Sequence, residues 1–130
     1  MGNKSIYYDL FNEKLSEFFR DIIQSFPDIT EFKKFKSGLN LVSNVDPSSP
    51  QHMFNSFVAS KYKDAILSKD DSFFLEGNDF GIISSRKDYW IDFINHLKVL
   101  WKTIDKNDKD IIWKYLHVLC ILNDKCQNDK

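Results

Sequence analysis

His117, Cys120 and Cys126 near the carboxyl end are side chains of the type that bind soft metal ions. His117 and Cys120 stand three apart, which puts them on one face of a helix. Structural zinc sites draw on closely paired cysteines, and no such pair exists in this chain. Cys120 also lies in the most apolar stretch, where a free cysteine packs as a small hydrophobe. The expected reading is core packing, with no metal.

Asp105, Asn107 and Lys109 begin like a calcium loop. The match ends at Lys109, where an oxygen ligand belongs, at Asp110, where a glycine is needed, and at Leu116 in place of a bidentate glutamate. A polar turn between two helices is expected there, with Asn107 or Asp108 as the N-cap. The glycines at positions 2, 38, 77 and 81 spell neither a phosphate-binding loop nor a dinucleotide fingerprint. His52, His96 and His117 each fall on an expected helix, outside any nucleophile motif. The chain is therefore expected not to be an enzyme and to carry no cofactor.

Two segments suit binding better. Lys33, Lys34 and Lys36 interleave with Phe32 and Phe35, a small basic patch with rings that can stack on bases. The same spacing arises when two rings three apart face a core and the lysines form the solvated side. With 18 basic and 19 acidic residues the net charge is −1, whereas a phosphate-backbone binder usually carries a basic excess. The core reading is preferred, and nucleic-acid binding through 32–36 is the alternative. The second segment, Lys69 to Ile83, has no sustained helical period yet holds Phe73, Phe74, Leu75 and Phe80 among acids. Such a loop either tucks its rings inward or offers them to a partner. These four residues are the candidate contacts for an unidentified protein partner, one with an apolar notch and a basic rim.

The elements that position these groups are helices. Phe11, Leu15, Phe18, Phe19, Ile22 and Phe26 recur on one face of a helix from Ser5 to Phe26, which Pro27 ends. Asp28 with Glu31 has the form of a capping box and opens a helix carrying Phe32, Phe35, Leu39 and Val42. Ser49 as N-cap and Pro50 at the first helical position start another, through Met53, Phe54, Phe57 and Val58, followed by a short one at Tyr62, Ile66 and Leu67. Ser85 with Asp88 opens a helix striped by Trp90, Ile94, Leu97, Trp101 and Ile104. From Ile111 to Leu122 only Lys114 and His117 are polar. A helix apolar nearly all round is central when it is too short for the ~20 residues of a membrane span.

The fold class is thus all-α: a compact bundle of five to six helices with a buried C-terminal helix. One domain over residues 1–130 is expected, with 1–4 and 124–130 as flexible ends. The start, MGNKSIYYDLF, lacks the apolar stretch of a secretory signal, so a soluble, reduced, intracellular protein is expected.

Phe11 to Phe18 (FNEKLSEF), Phe26-Pro27-Asp28, Lys69 to Leu75 (KDDSFFL) and Ile112 to Leu116 (IWKYL) together carry a resemblance. The chain resembles a family of small uncharacterised helical proteins of large DNA viruses of algae and amoebae. The resemblance spans most of the chain. It implies a viral protein in the cytoplasm of an infected cell or in the virion, and brings no activity and no catalytic residue with it. The function expected is a non-enzymatic interaction or structural module.

Overall fold

The computed structural model describes residues 3–71 and 89–128, and among these every regular element is helical. In α1 (Asn3–Ser25) the expected stripe is the buried one: Phe11, Leu15, Phe18, Phe19 and Ile22 are inside and Phe26 packs against them from the corner. Pro27 cannot extend the helix, and two turn residues lead into α2 (Thr30–Val45). The expected capping box does not form. Ile29 takes the cap position without any side-chain hydrogen bond, and its side chain packs on the core.

After Asp46 and Pro47 the chain turns on a carboxylate. Asp46 Oδ1 accepts from the Ser48 backbone N–H at 3.1 Å and from its hydroxyl at 2.8 Å, a local turn that competes with helix. Then come α3 (Ser49–Phe54), a wide π turn (Asn55–Ala59) and α4 (Ser60–Leu67) in one continuous run. The π turn changes which side chains face inward. Phe54, Val58 and Ala59 are buried, whereas Phe57, expected among the apolar face, is left partly in solvent. At the end of α4 Lys69 sits in the left-handed region at φ 54°. The Asp70 N–H reaches Ala65 O at 2.9 Å and the Lys69 N–H reaches Ile66 O at 3.2 Å, the paired bonds of a Schellman stop. Lys69 thus occupies a position where glycine is the usual residue.

Helix α5 (Tyr89–Trp101) buries Trp90, Ile94, Leu97 and Trp101 completely, and Phe93 as well. The expected start at Ser85 and Asp88 lies outside the described residues. Ile104 falls beyond the helix, in a turn whose Thr103 and Ile104 N–H groups return to Leu100 O. Helix α6 (Lys106–Asn128) is much longer than the expected Ile111 to Leu122. Its N-cap is Asp105, not Asn107 or Asp108, because the Asp105 carboxylate accepts the Asp108 N–H at 2.9 Å, two places before the expected cap.

The core joins all of these helices. Helices α1 and α6 pack along their length in opposite directions, for Tyr115 meets Asp21 at one end and Lys125 lies over Tyr7 at the other. The C-terminal helix is buried along one face only: Ile112, Trp113, Leu116, Leu119, Asn123 and Cys126 are inside, while Ile111 and Ile121 are 43% and 44% exposed. Residues 124–128, expected as a flexible end, continue the helix, and Cys126 is fully buried there. Phe93 forms the aromatic hub, with ring centroids at 4.8 Å to Phe19, 5.4 Å to Phe18, 5.8 Å to Phe32 and 6.0 Å to Trp90. Most of these pairs are edge-on or tilted, the favoured geometry for rings that carry a quadrupole.

Candidate functional site

The basic-aromatic segment is split by α2. Phe32 and Phe35 are buried against Phe93 and the His96 ring, so neither ring faces a base. Lys33 and Lys34 remain outside, and Lys36 is half-buried beside Ser16 and Asn40. Phe73, Phe74, Leu75 and Phe80 lie outside the described residues. His117 is half-buried, Cys120 and Cys126 are buried and form no disulfide, and among the described residues no cluster of histidine, cysteine and carboxylate is arranged to hold a metal ion.

A polar seam that no sequence signal singled out crosses the bundle where α1, α3 and α6 meet. Gln51 is wholly buried, and its Nε2 donates to Asn123 Oδ1 at 2.6 Å and to Gln127 Oε1 at 3.0 Å. Asn123 Nδ2 in turn donates to Asn55 Oδ1 at 3.0 Å, on the first residue of the π turn. Gln51 Oε1 has no hydrogen-bond partner among the described residues, a deficit that costs on the order of 1–3 kcal/mol. Nearby, the Tyr8 hydroxyl lies 3.2 Å from His52 Nε2, Asn12 Nδ2 donates to Pro47 O at 2.8 Å, and Trp90 Nε1 donates to Pro50 O at 3.1 Å. Burial, with the Cys126 and Asp46 charges, pushes the Tyr8 phenol up. The seam pins α3 to both flanking helices, since amides tolerate few alternative registers once buried.

Two further groups have the chemistry of nucleophiles or bases, and the fold suppresses both. Burial pushes the Cys120 thiol up to about 12, with Asp124 adding to it. The Tyr115 phenol also rises to about 12, through burial and its hydrogen bond to the Asp21 carboxylate. Lys63, on α4, pairs with Asp124 at 2.6 Å on the rim above Cys120. Both groups hold their protons to higher pH than they would in water.

The same shifts fix a pH dependence. A group that holds its proton more tightly when folded contributes stability that is complete below its unfolded value and is lost as pH rises toward its folded one. For Cys120 and Tyr115 that window opens near pH 9 to 10 and closes near 12. The urea midpoint is expected to hold from pH 7 to 9 and then fall steeply to pH 11. Cys120→Ala and Tyr115→Phe each flatten the fall, and the double variant flattens it further. Equal slopes in all four proteins would show that neither group governs alkaline stability.

The largest exposed apolar surface among the described grooves runs along the outer side of α5. Ile29, Asn95, His96, Val99, Leu100 and Thr103 line an open volume of about 440 Å³. Val99 is 75% exposed, while Ile29 and Leu100 connect the groove floor to the core. A second groove, of about 350 Å³, gathers Lys69, Lys106 and Lys109 with Asp71, Asp110 and Trp113, and its charges nearly cancel.

Fold and surfaces together define an all-helical bundle with a buried amide seam and an open apolar groove. Comparison with protein-family models, with curated proteins and with solved structures finds no match to the chain. Of the described residues behind the viral resemblance, Phe11, Leu15 and Phe18 on α1 and Ile112, Trp113 and Leu116 on α6 are core positions. Among the described residues no helix is long and apolar enough to cross a membrane.

Proposed function

We propose that the chain is a non-enzymatic interaction module that receives a protein partner in the groove between Ile29 and the outer face of α5. One observation carries this reading: an open, almost wholly apolar groove that leaves Val99 in solvent while its floor is continuous with the core. Exposed apolar surface of this kind, rimmed by polar side chains, is the usual mark of a partner site. A viral setting rests on the aromatic motifs alone.

The test places a photo-activatable cross-linking residue at Val99 in one protein and at Lys114, exposed on α6, in another. Irradiation in the expressing cell is expected to give a discrete heavier species from position 99 and none from 114. Ile29→Asp should remove that species. The same adducts from both positions, or none from 99, would overturn the reading.

A further inference from the structure

The proposal rests on the groove reading and specifies what fills the groove. His96 lines it, and its Nδ1 lies 3.0 Å from the Asp92 carbonyl oxygen one turn earlier. A carbonyl oxygen only accepts, so Nδ1 must carry the proton and donate. In the neutral ring Nε2 is then the acceptor, because the hydrogen bond at one nitrogen sets the role of the other. The ring itself is held in place: it packs edge-on against Phe35 at 5.2 Å and Phe32 at 6.4 Å. Nε2 has no partner among the described residues. Thr103, also in the lining, has already given its hydroxyl proton to Leu100 O at 3.0 Å, so its oxygen too is left as an acceptor.

The groove therefore combines an apolar floor of Ile29, Val99 and Leu100 with the acceptors His96 Nε2 and Thr103 Oγ1 and the Asn95 amide at its rim. An aliphatic side chain would fill the floor and leave His96 Nε2 desolvated and unpaired, which is costly. A carboxylate would bring a charge onto that apolar floor, which is costly. An aromatic ring with one N–H or O–H satisfies both requirements, and such rings are typical anchors of protein interfaces. We infer that the α5 groove is a pocket for a donor-bearing aromatic side chain, tryptophan above all, on a protein partner, with His96 Nε2 receiving its N–H.

Indole and 1-methylindole test this directly, since they share a shape and differ in the donor. Each is titrated into the full chain, isotopically labelled, while the methyl signals of Ile29, Val99 and Leu100 and the His96 ring nitrogens are followed. Indole is expected to move these signals and to bind about three- to ten-fold more tightly than 1-methylindole, the span of one neutral hydrogen bond. In His96→Phe, which keeps a ring against Phe35, the two probes should bind alike. Three results would overturn the inference: no shift at the groove methyls, equal affinity of the two probes for the parent chain, or a groove already occupied by a second copy in the probe-free protein. Equal affinities beside a cross-link at Val99 would leave the groove reading standing and remove only the aromatic anchor.

Discussion

Leu116→Asp leaves the chain unfolded at room temperature. Leu116 is fully buried, in the middle of the α6 face that packs on α1. An aspartate there either stays charged without a partner or takes up a proton, and each route costs several kcal/mol. The whole stability of a domain is only about 5–15 kcal/mol. Helical circular dichroism should be lost, whereas Ile121→Asp, on the exposed side of the same helix, should change the melting point little. If Leu116→Asp melted like the parent, the buried face of α6 would be wrongly assigned.

Phe93→Ala has the second large effect, a loss of about 3–5 kcal/mol. The ring is fully buried and lies against Phe18, Phe19, Phe32, Phe35 and Trp90. Removing it opens a cavity that neighbours from α1 and α2 cannot fill without leaving their own rotamers. Urea denaturation measures the loss, with Phe57→Ala as the comparison because Phe57 is already 37% exposed. Similar losses for the two variants would mean that α1, α2 and α5 do not share one aromatic centre.

Helix by helix, legibility followed the size of the local signal. The α1 stripe from Phe11 to Ile22 repeats over about three turns, so the period alone identified each buried residue. On α5 a narrow two-heptad stripe, from Trp90 to Trp101, left out Phe93, the ring that holds the centre. A stripe drawn on one helix shows which residues face inward; it does not show that three helices converge on one of them. Caps were least legible. Asp28 and Asp108 each had the right type and spacing, but Ile29 takes the cap position of α2 with no side-chain bond, and at α6 the Asp105 carboxylate accepts the Asp108 N–H.

The buried seam left one trace that was readable in principle. Asn123 and Cys126 continue the Ile112, Leu116, Leu119 stripe, so they fall on the buried face of α6. What they meet there is not local. Gln51 stands 72 positions from Asn123 and 76 from Gln127, and no spacing rule links residues so far apart.

By itself, then, the sequence determined the helical class, the inward faces of α1 and α2 and the stop at Pro27, because each depends on neighbours within a turn or two. Tertiary structure alone decided that α6 keeps an exposed side and that Phe57 turns outward at the π turn. It also made the groove, whose walls come from Ile29 and from α5, some 66 to 74 positions later in the chain. Hydrophobic period records how much apolar surface a helix must bury. It carries no record of which partner buries it, and a groove forms where the available partners run out.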